Sequence, residues 1–185
     1  MRTIYNTATT LNGYIADERN SLDWLFAVDD SVAPDQEAFL AGVTVLVLGS
    51  TTYEWVVEHE DLVAHPERWP GYFGPRPLFV FTTRELPVPA GADVRFVRGP
   101  VAHVLPRIRE AAGDGDAWLV GGGDLAGQLL DAGALDEVQL SVAPAALTGG
   151  APVLPRTVGA DRLRLRTVEQ FGQFAHLTYD VVPVG

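Results

Sequence analysis

Two short runs, VTVLVL (Val43 to Leu48) and LFVF (within Leu78 to Thr82), carry almost no polar side chain. A strand with one wet face alternates apolar and polar residues. A run without alternation needs apolar cover above and below, which makes these central strands of a sheet sandwiched between helices. Further strands are expected at Thr3 to Ala8, Val94 to Val97, Ala117 to Val120 and Val138 to Val142. Helical spacing falls between them, around Asp35 to Ala41, Thr52 to Glu60, Val101 to Ala112 and Asp124 to Ala132, with Pro106 expected to start or kink the third. Strands alternating with helices specify an α/β fold with a mostly parallel central sheet and helices on both faces. The C-terminal end differs. Arg162 to Val168 alternates, Gln170-Phe171-Gly172 turns, and Phe174 to Val182 returns, as an antiparallel hairpin on the sheet edge does. Pro66 to Pro77 and Pro87 to Asp93 read as surface loops. At 185 residues, 1–185 is read as one domain.

The segment AWLVGGGDLAGQLL (Ala117 to Leu130) reads as strand, glycine-rich turn and helix N-terminus. Glycines let the backbone approach a ligand and adopt positive φ, and a helix start presents free N–H groups to an anion. Two other junctions have the same character: Gly49-Ser50-Thr51-Thr52 after one apolar strand, and Thr82-Thr83-Arg84 after the next. Each alone reads as capping or turn chemistry. In a parallel sheet, however, the carboxyl ends of the strands share one edge, so all three can converge on a nucleotide's phosphates. GGGDLA satisfies the relaxed G-x-G-x-x-A pattern, yet the next strand ends at Ala143-Pro144 without a ribose-binding acid, which disfavours the dinucleotide fold that usually carries this pattern.

Charge and composition narrow the partners. With 13 basic and 24 acidic residues the net charge is −11, which argues against nucleic acid and anionic membrane surfaces. An anionic cofactor must therefore be held by local donors. There is no cysteine and no run long enough to span a membrane, so a cytoplasmic location is expected. His59, His65, His103 and His176 lack metal-ligand spacing, and no metal site is expected.

In order along the chain, TTLNGYIAD (Thr9 to Asp17), SLDWL (Ser21 to Leu25), VLGSTTYEW (Val47 to Trp55), LFVFTTRE (Leu78 to Glu85) and WLVGGGDLAGQLLDAGALDEVQLSVAP (Trp118 to Pro144) resemble the dihydrofolate reductase superfamily. The likeness is greatest to the reductase domain of riboflavin-pathway deaminase–reductases and its stand-alone relatives. It implies the three-layer dihydrofolate reductase-like fold, NADPH as hydride donor (NADH not excluded), a small heterocyclic substrate and a homodimer. The same resemblance sets Ala8, Ile15 and Ala16 near the nicotinamide. Gly49, Ser50, Thr51, Thr52, Thr82, Thr83 and Arg84 would hold the adenosine and its phosphates, and the stretch Val120, Gly121, Gly122, Gly123, Asp124, Leu125, Ala126 the pyrophosphate. Asn12, Asp23, Trp24 and Ser141 would face the substrate, with Tyr53 a further aromatic for its wall.

Two positions depart from that pattern. Ser50 stands where relatives carry an arginine for the cofactor's 2′-phosphate; a charged hydrogen bond contributes roughly 1.5–3 kcal/mol, so NADP selectivity should fall about tenfold unless Arg84 compensates. Asn12 replaces the aspartate of the S-L-D-G motif.

Reducing a C=N bond of a pterin or ribosylamino-pyrimidine leaves charge on nitrogen, so a proton donor is sought. Asp23 adjoins Trp24, and Asp29 lies five residues past it, the spacing the resemblance favours. Asp124 is read as a helix cap turned away from phosphate. With no deaminase portion in this sequence, a stand-alone reductase is expected. The alternative is a nucleotide-binding protein that keeps the cradle without catalysis.

Overall fold

The computed structural model describes residues 1–29, 31, 32 and 34–183. Its centre is an eight-stranded sheet in the order β5-β4-β3-β6-β1-β7-β10-β9. The parallel strands are β1 (Thr3–Thr10), β3 (Val43–Gly49), β4 (Leu78–Phe81), β5 (Val94–Val97), β6 (Asp116–Gly121) and β7 (Glu137–Ala143). The hairpin of β9 (Leu163–Phe171) and β10 (Phe174–Val181) adds at the β7 edge, antiparallel, as its alternation predicts.

The unalternating runs behave as expected of two-sided strands. Val45 and Val47 pack on one face with Tyr5, Ile108 and Leu129, under α5 (Val101–Ala112) and α6 (Gly123–Asp131). Leu46 and Leu48 pack on the other with Tyr53, Trp69 and Phe73, under α3 (Ser50–His59). Pro106 lies inside α5 without ending it; the carbonyl it deprives of a partner belongs to Ala102, which is exposed to water.

The Pro66–Pro77 stretch is not a plain surface loop. It forms a 3-10 turn (Pro66–Arg68) and α4 (Trp69–Tyr72), because Trp69 and Phe73 each bury all but 4% of their surface. Turn residues concealed that aromatic pair in the sequence. The remaining elements are α1 (Asp23–Phe26), α2 (Gln36–Ala41, capped by the Asp35 carboxylate), and the short pair β2 (Tyr14–Ala16) and β8 (Ala151–Pro152). Both β2 and β8 were too short to show a period. Among the described residues, no helix is long and apolar enough to cross a membrane.

Candidate functional site

Strands β5, β4, β3 and β6 are neighbours and parallel, so their carboxyl ends form one rim. Gly49 to Thr52, Phe81 to Thr83, Val97 to Gly99, and Gly122, Asp124, Leu125 and Gln128 together line a cavity of about 440 Å³ on that rim. The three junctions expected from sequence converge there, and a fourth, at the end of β5, joins them. Helices α3 and α6 both start at this cavity on a glycine, with no side chain capping their first N–H groups. Two helix starts thus offer free backbone donors and positive dipole ends to the same space.

Each glycine of the turn answers a different demand. A Cβ on Gly121 would come 2.6 Å from Thr52 Oγ1, and one on Gly123 would run into the Pro152 carbonyl oxygen. Gly122 has φ +106°, which side-chain-bearing residues rarely adopt. Two of the three are therefore required by protein neighbours, and the third by backbone conformation.

Asp124 does not cap α6. Its carboxylate accepts from Arg156 Nη1 at 3.1 Å and from Gln128 Nε2 at 2.8 Å, and these donors, Gln128 first, hold it below the usual carboxylate range. A guanidinium that also bonds Asp131 at 2.7 Å outcompetes backbone amides for this side chain.

A second cavity of about 420 Å³ shares Thr51, Thr52, Gly122 and Asp124 with the first, making one continuous trough. Its walls are mostly apolar: Ile15, Ala16, Leu22, Trp55, Val56, Val120, Pro152 and Pro155, with Thr7, Asn20, Gly121 and Gly123 among the rest. Trp55 stacks on His59 at 4.4 Å, and both lie nearly parallel to Phe26 at 5.9 and 5.4 Å. Of these stacked rings Trp55 lines the cavity, and Phe26 is left 60% exposed.

Of the residues expected from sequence, Gly49, Ser50, Thr51, Thr52, Thr82, Thr83, Gly122, Asp124 and Leu125 border the first cavity, and Ile15, Ala16, Val120, Gly121 and Gly123 the second. The others stand apart from both. Ala126 lies on the core side of α6 and is buried there. Arg84 turns away to a two-pronged pair with Glu54, one arm at 2.7 Å. Tyr53 is fully buried; its hydroxyl donates to the Pro87 carbonyl at 2.6 Å, and burial pushes its pKa up to about 12. Asn12 is spent clasping Leu147, donating to its carbonyl at 2.7 Å and accepting from its N–H at 3.1 Å. Ala8 pairs beside Ser141 between β1 and β7, and the Ser141 hydroxyl meets His176 Nδ1 at 3.0 Å. The buried Trp24 indole N–H has no partner among the described residues. Asp23 and Asp29 are both exposed; the Ser31 N–H at 2.9 Å holds the Asp29 carboxyl below its usual range.

Sequence reasoning missed Arg98 and Trp55, though both left signals. Arg98-Gly99 follows a strand as the other polar junctions do. On α3, positions 51, 52, 55 and 56 share the cavity side whereas Tyr53 and Val57 go to the core, so helical spacing from Thr51 selects Trp55 over Tyr53.

Comparison with known proteins places these features in context. The model of the RibD C-terminal domain family matches residues 2–177. A candidate riboflavin biosynthesis protein from Shewanella sp. PV-4 superposes with a TM-score of 0.78 at 26% identity, over 98% of this chain and 99% of that one. Dihydrofolate reductase from Enterococcus faecalis, complexed with NADP(H), gives 0.59 at 17% identity over 97% and 96%. A Thermotoga maritima diaminohydroxyphosphoribosylaminopyrimidine deaminase/5-amino-6-(5-phosphoribosylamino)uracil reductase gives 0.65 at 14%, over 98% of this chain and 56% of that one.

Proposed function

Because this chain belongs to the RibD C-terminal domain family, with the dihydrofolate reductase-like fold, we propose that it is a nicotinamide-dependent reductase. In this reading NADPH donates hydride to the C=N-type carbon of a pterin or ribosylamino-pyrimidine in the cytoplasm. The observation that carries the reading is the trough: a polar half where two uncapped helix starts meet, continuous with an apolar half edged by stacked aromatics.

The residues fit such a cofactor. Backbone donors at the starts of α3 and α6 would hold a diphosphate in spite of the chain's net charge of −11. Thr51 and Thr52, common to both halves, would add hydroxyl donors along the span of a bound nucleotide. When bound, the dihydronicotinamide supplies a hydride. The Trp55 ledge orients a flat heterocycle, while Ile15, Val120 and Pro152 keep bulk water from the reacting carbon. As carbon takes the hydride, nitrogen must take a proton. Asp124, the one carboxylate among the residues lining this cavity, is already paired with Arg156, so in this reading the proton comes by way of water.

The test is NADPH and NADH oxidation by the purified protein against pterins and ribosylaminopyrimidines. Turnover with either class supports the reading; failure of both nucleotides to bind removes it. In active protein, Asp23→Asn and Asp29→Asn decide the proton source, since a fall in kcat at unchanged KM identifies a carboxylate donor. The second reading, nucleotide binding without catalysis, draws on the fact that neither aspartate lines either cavity, and binding without turnover would establish it. The homodimer implied by the resemblance is also proposed. Strand β9 is a sheet edge exposed on both faces, with Leu165 and Val168 50% and 61% exposed, and sedimentation velocity tests it.

A further inference from the structure

We propose that Asn12 is a positioning residue, which sets the width of the trough's apolar half by tying two of its backbone walls together. The inference rests on the reading of the trough as a nicotinamide-cofactor site and adds what holds its ring end in register. One wall is β2, which brings Ile15 and Ala16 to the cavity; the other is β8, which brings Ala151 and Pro152. The two strands meet in two register pairs, Tyr14 with Pro152 and Ala16 with Ala151, and so short a pairing is marginal by itself. They also touch backbone to backbone. Gly150 has φ +134°, and a Cβ there would run into the Ala16 carbonyl oxygen, so a shift of either wall is felt at once by the other.

The chain from Pro144 to Gly150 has no helix or strand, so its course depends on bonds to other segments. Its start is held where the Leu11 N–H donates to the Ala145 carbonyl at 2.7 Å, and past β8 the Val153 N–H donates to the Gly13 carbonyl at 2.8 Å. Between these points the Asn12 carboxamide takes both backbone groups of Leu147, 135 residues away. Its Nδ2 donates to the carbonyl at 2.7 Å and its Oδ1 accepts from the N–H at 3.1 Å. The buried Thr10 hydroxyl donates to the same Oδ1 at 3.0 Å, which fixes the amide's orientation. A carboxamide offers a donor and an acceptor, as a peptide unit does, and so imitates a neighbouring strand. A carboxylate has no donor and would set a second acceptor against the Leu147 carbonyl. The aspartate of the S-L-D-G motif therefore cannot make this clasp, which gives the departure at Asn12 a physical reason.

The experiment compares wild type with Asn12→Asp and Asn12→Ala in three measurements. Amide hydrogen exchange of the free proteins follows the 145–153 segment. An NADPH titration read by nicotinamide fluorescence gives Kd and the emission gained on binding. Steady-state kinetics from pH 8 to pH 5.5, with a heterocycle that wild type reduces, gives kcat. In both variants exchange at the Leu147 and Val153 amides should quicken and the emission gained should fall. The NADPH Kd should stay within about threefold, because the polar half is untouched, and that retained affinity shows that the variants are folded. At pH 8 kcat should fall about ten- to hundred-fold, the cost of a ring misplaced by about 1 Å. Relative to wild type at the same pH, Asn12→Asp should recover about threefold or more by pH 5.5, as the introduced carboxyl, its pKa raised by the facing carbonyl, takes a proton and becomes a donor. Asn12→Ala should not recover, and that difference separates positioning from a general loss of stability. Variants with wild-type emission and kcat overturn the proposal, as does an Asn12→Asp deficit that does not shrink toward pH 5.5. If wild type binds without turnover, unchanged emission and exchange in the variants overturn it. A wild type that binds neither NADPH nor NADH removes the reductase reading and this proposal with it.

Discussion

At the scale of single residues, this site is built by exclusion of side-chain atoms. Gly121 has no room for a Cβ because Thr52, two residues into α3, lies against it. Gly121→Ala is therefore expected to cost about 1–3 kcal/mol, the range for overpacking a tight contact. Urea denaturation measures this, and Thr52→Ala in the same chain should recover part of it. A second residue-scale consequence is pH-dependent. His176, 8% exposed, has its pKa lowered, first by desolvation, with Glu169 pulling weakly the other way. The unfolded chain then binds its proton at a higher pH than the folded one does. Stability is fully present above the unfolded value near 6.5 and is lost as pH falls through it toward the folded value. Urea midpoints at pH 8 and pH 5.5 should diverge less in His176→Gln than in wild type.

At the scale of elements, α3 shows how one helix divides its labour. Its core side holds Tyr53, so Tyr53→Phe is expected to lose about 0.5–1.5 kcal/mol of stability, the hydrogen bond to Pro87, with little change in KM. Its cavity side holds Trp55. Trp55→Ala should raise the KM for a flat heterocycle about tenfold or more while leaving most of the stability, because base-like stacking on an aromatic contributes about 1–3 kcal/mol. The motif holding both residues was legible in the sequence, but the choice between them needed the helix's phase relative to the sheet. At the opposite end of the sheet, Glu137 of β7, its side chain 4% exposed, is held between Arg2 at 3.2 Å and Arg166 at 2.7 Å. Losing either arginine should cost about 1 kcal/mol, since the other still neutralises the carboxylate. Losing both should cost about 3–5 kcal/mol, more than the sum, which a double-mutant cycle by chemical denaturation measures.

At the scale of the whole molecule, the trough spans four strand ends and two helix starts, so a ligand filling it ties together elements distant in sequence. A nucleotide at 100 times its dissociation constant should add about 2.7 kcal/mol of stability. For a chain of this length that is a Tm rise of about 5–10 °C, and a thermal melt with and without NADPH checks it. A melt that does not move with either cofactor counts against the site.

The fold class and the rim junctions after β3, β4 and β6 were determined by sequence alone, because strand period and glycine-bearing junctions are local signals. Val45 and Val47 against Leu46 and Leu48 needed two covered faces, and only a layered α/β sheet supplies them. Local pattern does not say which of several charged or aromatic side chains turns toward the rim. Arg84 and Arg98 each follow a strand of the same sheet, Asp23 and Asp29 read alike as acids near a motif, and Asp124 reads as a helix cap. Glu54 drew Arg84 off, Arg156 claimed Asp124, and Ser31 took Asp29 at the surface. The Asp29 contact is a local turn two residues long. The other two are competitions among partners about thirty residues apart, brought together by folding, and tertiary structure alone decided them.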